Sequence, residues 1–385
     1  MPRLLVAALA MVMLAACTHG APHAMGMVPG DPPATTSGGQ ERTSYIAADV
    51  VAWNYAQAGR DLLTGAAFGA REDTYVAGGP DRIGRIYKKS LYREYTDASF
   101  AHLKPRPPEW AHLGLLGPVI HAEVGDTIKV VFRNNTPFPA SMHAHGVLYD
   151  KASEGSLYDD GTSGADKADD AVPQGQTHTY IWKVPERAGP GPMDPSSILW
   201  MYHSHVDEVP DMYAGLMGPI VITKRGMARP DGTPRDVDRE VVALFMILNE
   251  NKSPWLDENI RTYAANPASV NRDDPGFQES NLKHAINGEV FGNLTGLDLV
   301  QGQRVRWYLM GMGSEADLHT PHWHANTVVI NGMRTDVASL LPGTMVVADM
   351  VPDDPGAWLF HCHVADHIAA GMQELYRVQP APAGR

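Results

Sequence analysis

Cysteine is almost absent: Cys17 and Cys362 are the only two in 385 residues. A disulfide framework is thereby excluded, and each thiol is free for other chemistry. A membrane-spanning run is missing too, because the apolar stretch at residues 4–16 is too short to cross a bilayer. Only 19% of residues are charged and the formal balance is −13, which argues against nucleic acid as a partner and is compatible with cationic substrates. No segment carries a long helical period. Gly (37) and Pro (30) are plentiful instead, and short runs at 127–133, 240–246 and 304–309 read as strands bounded by turn residues. The expected fold class is all-β, with two Greek-key β-sandwich domains in tandem.

The N-terminus carries Arg3, the apolar run, and then Leu14-Ala-Ala-Cys17. This resembles a bacterial lipoprotein box, so residues 1–17 are expected to be an export signal cleaved before Cys17, with a lipid on its thiol. The mature chain is then periplasmic or anchored to the outer membrane. Residues 18–44, rich in Pro, Gly, Ser and Thr, read as a disordered linker. The first domain is expected at 45–225, a second linker at 226–239, where Gly, Pro and charge cluster, and the second domain at 240–385.

Chemistry concentrates in residues 361–372, His-Cys-His-Val-Ala-Asp-His-Ile-Ala-Ala-Gly-Met. On a strand His361 and His363 share one face while Cys362 points to the other. Cys362, His367 and Met372 are three of the four ligands of a blue-copper centre, which takes two His, a Cys and a weak axial Met. Three further clusters are His143-Ala-His145, His203-Ser-His205 and His319-Thr-Pro-His322-Trp-His324. Each His-X-His pair spans about 6.6 Å on one strand face, a spacing suited to clasping neighbouring metal ions. Four pairs supply eight imidazoles, and His319 is left to complete the mononuclear set of His319, Cys362, His367 and Met372.

The chain also repeats itself. The run at 119–127 leads to His143-Ala-His145 as 299–304 leads to His322-Trp-His324, and 199–205 parallels 357–363. Aligning the halves puts Ala140 at the position of His319, Ser204 at Cys362, Leu216 at Met372, and Val209 or Asp211 at His367. The first half thus keeps its four paired histidines and loses every mononuclear ligand.

These four histidine motifs, in order and spacing, resemble the multicopper oxidases, and the last motif and the run at 117–127 resemble the ceruloplasmin-like branch. The resemblance covers residues 45–380 and implies cupredoxin-like domains and four copper ions per subunit. It places type 2 copper on His143 and His322, and the type 3 pair on His145, His203, His205, His324, His361 and His363. Electrons from a small reducing substrate would enter at the mononuclear site and pass through Cys362 to His361 and His363, and O2 would be reduced to water at the cluster. Two-domain members complete the cluster between the first domain of one subunit and the second domain of the next, which implies a homotrimer. Small two-domain laccases carry a similar Tyr and acidic residue after the first motif, so Glu154 is the expected proton relay, Tyr149 a neighbour of type 2 copper, and Asp150 a further candidate. Asp366, before His367, is a candidate for orienting a ligand. The two-domain layout implies a laccase-like donor, a phenol or aromatic amine. Fe(II) or Cu(I) is the alternative, with no methionine-rich insertion to favour Cu(I). Copper nitrite reductase and a non-catalytic copper store are the competing classes. His102, His112, His121, His178 and His284 stand outside any paired spacing and read as structural or surface residues.

Overall fold

The computed structural model describes residues 39–382; the export signal, Cys17 and most of the first linker lie outside the described residues. The first half supplies β1 (Glu41–Asn54), β2 (Ile86–Tyr95), β3 (Ile120–Glu123), β4 (Thr127–Asn134), β5 (His143–Ala144), β6 (Thr177–Lys183), β7 (Ser197–His203) and β8 (Met217–Thr223). The second supplies β9 (Arg239–Asn249), β10 (Leu282–Ile286), β11 (Asp298–Val300), β12 (Val305–Gly311), β13 (Pro321–Trp323), β14 (Val328–Ile330), β15 (Met333–Thr335), β16 (Thr344–Met350), β17 (Gly356–Cys362) and β18 (Gln373–Gln379).

Each half is a sandwich of two sheets, ordered β2-β1-β4-β6 and β3-β8-β7-β5 in the first, and β10-β9-β12-β16-β14-β15 and β11-β18-β17-β13 in the second. The repeat extends to strand direction. The parallel pairs β1 with β4 and β3 with β8 recur as β9 with β12 and β11 with β18. Short helices fill the connections: α1 (Ala70–Val76), α2 (Glu208–Ala214), α3 (Leu256–Tyr263), α4 (Pro275–Ser280) and α5 (Ala365–Ala369). No helix among the described residues is long and apolar enough to cross a membrane.

Burial explains how the halves join. Along β4 buried and half-exposed residues alternate, as a strand with one face on a core requires. β8 and β12 are buried at every position, which needs cover on both faces. Alternate residues of β9 show where each face goes. Val241, Ala243 and Phe245 pack with Trp307, Phe360 and Tyr376 inside the second sandwich. Val242, Leu244 and Met246 pack with Leu199, Met201, Met217 and Val221 of the first half. A separate cluster around Phe132, Tyr180, Trp182 and Ile220 fills the first sandwich. The apolar surface between the halves therefore forms a third core.

Ordered structure reaches into both expected linkers. β1 begins at Glu41, inside the stretch assigned to the first linker, because Asp126 accepts hydrogen bonds from Gln40 N–H (2.8 Å) and Arg42 Nε (2.5 Å). The 226–239 segment is tied down by its own hydrogen bonds. The Arg229 guanidinium donates to the carbonyls of Pro234, Arg235 and Val237, Ala228 and Val237 are buried, and Arg239 already belongs to β9.

Candidate functional site

β17 ends at Cys362, and the short helix α5 turns the chain so that His367 comes back onto the thiol. Two backbone hydrogen bonds close this return, Met372 N–H to His367 O (3.0 Å) and Cys362 N–H to Met372 O (3.1 Å). Gly371 at φ +106° makes it possible, since a Cβ there would sit 2.7 Å from the Phe291 ring. Cys362 Sγ lies 3.5 Å from His367 Nδ1 and 3.8 Å from His319 Nδ1. All four expected residues, Met372 included, are buried. His319 is aimed by a residue that the sequence reading missed. The fully buried Asp317 accepts from His319 Nε2 (3.1 Å) and so leaves Nδ1 facing the thiol. Burial works against a charged His319 ring, but the hydrogen bonds to Asp317 and Cys362 outweigh it and raise its pKa. Burial also disfavours a thiolate at Cys362, yet His319 and His367 overcome that and lower the thiol to about 6.

The paired histidines gather into two quartets. In the first, His145 Nε2 and His203 Nε2 are 3.1 Å apart, and the His143 and His205 rings lie 5.2 Å apart. In the second, His324 Nε2 and His361 Nε2 are 3.2 Å apart, and His322 and His363 lie 5.3 Å apart. Backbone carbonyls set the tautomers: His143 Nδ1 meets Glu154 O (2.7 Å), His322 Nδ1 meets Asp336 O (2.9 Å), His203 Nδ1 meets Ser204 O (3.1 Å) and His361 Nδ1 meets Cys362 O (2.7 Å). In each case Nε2 is left as the available ligand atom. Burial lowers His203 to about 3 and His145 and His361 to about 4, so these rings are neutral near pH 7. The ring contacts recorded among the described residues join histidines of the same quartet. His324 and His363 are exposed, so the second quartet opens at the surface.

The first half shows what replaces the mononuclear set. Ser204 N–H bonds Leu216 O and Leu216 N–H bonds Asp211 O, each at 3.1 Å, in the same pattern as Cys362, Met372 and His367. Ala140 pairs reciprocally with Val172 as His319 does with Leu340. The ambiguity between Val209 and Asp211 thus resolves to Asp211, and Ser204 Oγ donates to its carboxylate at 2.6 Å. A hydrogen bond stands where the second half has a thiol and an imidazole.

Two family models described as multicopper oxidase match residues 112–226 and 261–382. The chain belongs to the multicopper oxidases. Human hephaestin is 46% identical over 345 residues, covering 89% of this chain and 30% of hephaestin. Human ceruloplasmin is 42% identical over 343 residues, covering 88% and 31%. The ferroxidase HEPHL1 of Mus musculus is 44% identical over 344 residues, covering 89% and 29%. The chain therefore spans about a third of the length of the curated relatives it matches. Among solved structures, one multicopper oxidase has a TM-score of 0.52 at 17% identity, with 88% of each chain covered. The blue copper oxidase from Nitrosomonas europaea has a TM-score of 0.51 at 18% identity, with 89% of this chain and 86% of that one covered. These likenesses bear out the two-sandwich, cupredoxin-like fold.

Membership of the multicopper oxidases implies copper, and the donors fit it. Imidazole nitrogens on one metal at about 2 Å and tetrahedral angles stand about 3.3 Å apart, close to the 3.1 and 3.2 Å of the two Nε2 pairs. His319, Cys362 and His367 offer ligand atoms within 4.8 Å of one another, as do His322, His324 and His361. Around these donors the expected outer residues take distinct positions. Tyr149 stacks edge-on to His143 with ring centroids 5.9 Å apart. Glu154 meets His143 through its carbonyl, while its carboxylate binds Lys151 (2.5 Å) and Tyr158 (2.9 Å). Asp150 is exposed, and no contact of its carboxylate with the histidines is recorded.

Asp366 is also exposed, on α5 beside His367, and it has company. The His284 ring lies 5.1 Å from that of His367 and 5.9 Å from that of Tyr75. Tyr75 donates to Glu279 Oε1 at 2.8 Å. Burial, the Glu279 hydrogen bond, and the charges of Glu279 and then Asp366 all push the Tyr75 hydroxyl up. His284 is buried and its Nδ1 has no hydrogen-bond partner. The sequence reading did not assemble this grouping, in which Glu279, Tyr75 and His284 follow one another onto a mononuclear-site histidine and Asp366 is near enough to act on Tyr75. No sequence spacing marks it, because α1, α4, β10 and α5 supply its members separately.

Proposed function

We propose that this chain is a metallo-oxidase that takes electrons from Fe(II) at Glu279, His284 and Asp366 and delivers them to O2. The observation that carries the reading is an unpartnered buried imidazole nitrogen on His284, whose ring lies beside His367 and Tyr75, with Glu279 bonded to that Tyr75 and Asp366 near enough to act on it. Carboxylate and imidazole are suitable donors for iron, and the three named relatives include a ferroxidase. Bound copper at His319, Cys362, His367 and Met372 and at the two quartets would supply one-electron oxidation and the reduction of O2. Cys362 supplies the covalent path, since its peptide neighbours His361 and His363 belong to the second quartet. Tyr149 and Glu154 are proposed to move protons near His143. Lys151 and Tyr158 outweigh burial to hold the Glu154 carboxyl below its ordinary range, which keeps it ionised.

Each quartet supplies half of the eight histidines and the recorded contacts stay within quartets, which supports completion of the cluster by another copy in a head-to-tail homotrimer with four coppers per subunit. Cleavage before Cys17, lipidation there and export belong to the same reading. A phenol or aromatic amine is the second donor class, favoured by the two-domain layout, which resembles that of small laccases. Oxygen consumption with Fe(II) and with a methoxyphenol, side by side, tests the choice. Fe(II) should be oxidised with the higher kcat/KM, and Glu279→Gln should cost Fe(II) oxidation at least tenfold while costing the phenol less. Equal losses, or a phenol preference, would reverse the assignment. A monomer holding full copper and full oxidase activity would refute the trimer.

A further inference from the structure

We infer that Lys283 is the positioning residue that ties the first half of the chain to the helix carrying Glu279 of the proposed metal-substrate site, and this inference rests on the Fe(II) reading above. Lys283 sits on β10 next to His284 and is 1% exposed. An ammonium so buried needs acceptors, and each of its three protons has one. Nζ donates to Tyr75 O, to Ser280 O (2.6 Å) and to Gly84 O (2.9 Å). It also lies 4.9 Å from the Tyr87 ring centroid and 5.9 Å from that of Tyr55, where cation–π attraction adds to the hold. No carboxylate pairs with it among the recorded ion pairs of the described residues, so all three of its hydrogen bonds go to backbone.

The three carbonyls are not equivalent in origin. Tyr75 lies in the last turn of α1, Gly84 in the segment leading to β2, and both belong to the first half; Ser280 ends α4 in the second half. The last carbonyls of a helix lack intrahelical donors and carry partial negative charge, so a cation there is favoured. One ammonium therefore ties the ends of α1 and α4 together. The side chains that meet beyond it are Tyr75, whose own carbonyl is held, and Glu279, the residue before Ser280. Their 2.8 Å hydrogen bond fixes one Glu279 oxygen and with it the carboxylate's orientation. Tyr75 and Lys283 thus act through Glu279 without touching the substrate metal themselves.

The test uses the copper-loaded full chain and two variants. Lys283→Met keeps the length and apolar stem and removes all three donors. Tyr75→Phe removes only the hydroxyl that holds Glu279. Both should raise KM for Fe(II) at least fivefold with kcat changed less than twofold, while methoxyphenol oxidation and the blue absorption of the mononuclear site stay as in the parent. A purely structural role would instead lower both activities and the copper content together, and that result for either variant would overturn the inference. Should Lys283→Met fail to fold, Tyr75→Phe decides: an unchanged KM for Fe(II) overturns it. If Glu279→Gln raises KM but Tyr75→Phe and Lys283→Met do not, the positioning inference alone fails. If Glu279→Gln leaves Fe(II) oxidation intact, the substrate-site reading itself fails.

Discussion

Replacing Asp317 by Asn should loosen copper at the mononuclear site without touching a ligand. The Asp317 carboxylate is fully buried and accepts from Ile247 N–H (2.6 Å), Ser314 N–H (2.7 Å) and His319 Nε2–H (3.1 Å). An amide keeps one acceptor oxygen. If that oxygen stays with Ile247 and His319, the NH2 faces Ser314 N–H and one donor is left buried and unpaired, and the bond to His319 loses its charge. A lost buried hydrogen bond to a charged group is worth about 1.5–3 kcal/mol, so unfolding stability should fall by about 2 kcal/mol. Outer partners of a ligating His commonly govern 10–100-fold in metal affinity, which is about 1.4–2.8 kcal/mol. The assay is retention of the blue absorption under titration with a copper chelator, alongside thermal unfolding. Asp336→Asn is the control, because that exposed carboxylate lies 3.9 Å from His322 Nδ1 and the backbone carbonyl makes the closer contact at 2.9 Å. It should match the parent. An Asp317→Asn protein that keeps its copper and its melting temperature would refute the argument that Asp317 sets the His319 tautomer.

The other predictions address the return loop, a buried acid, the proton path and the altered first half. Gly371→Ala places a Cβ 2.7 Å from Phe291 at φ +106°, and should cost about 1–3 kcal/mol and weaken the blue band. Burial raises Glu289 to about 8 despite its hydrogen bond from Gln57. Its folded pKa lies above the unfolded one, so it adds stability below about pH 4.5 that is lost as pH rises through about 8. Up to roughly 5 kcal/mol is at stake, and Glu289→Gln should flatten the melting temperature between pH 5 and 8. Glu154→Ala should slow reoxidation of the reduced enzyme by O2, and an unchanged stopped-flow rate would remove it from the proton path. Combining Ala140→His, Ser204→Cys, Asp211→His and Leu216→Met should create a second blue absorption, because the backbone hydrogen bonds that shape the site are already present. An unaltered spectrum in a folded, copper-loaded variant would show that the backbone match is insufficient.

Some of the site was legible in sequence because its chemistry depends on neighbours along one strand. His361, Cys362 and His363 must alternate faces, and the other pairs follow the same period of two, so spacing alone separated mononuclear from cluster donors. The repeat was legible for the same reason, except at Asp211, where α2 has seven residues and α5 has five; that gap could be closed only by the hydrogen bonds around it. What stayed hidden depends on packing between distant segments. Asp317 is two residues from His319, yet an Asp-X-His spacing is too common to mark a buried acceptor. Tyr75, Glu279, His284 and Asp366 span almost the whole chain and meet only because α1 packs on α4 while β10 lies under His367. On the proposed reading the electron donor is selected at that junction rather than at the copper ligands, which would separate the two levels of function physically. Ligand identity is set by local strand geometry and by the redox metal's preference for soft and imidazole donors. On the same reading donor identity is set by Glu279 and Asp366 of the second half, with Glu279 held by Tyr75 of the first, so a substitution in the core between the halves, such as Leu244→Ala, should disturb Fe(II) oxidation before it disturbs the blue site.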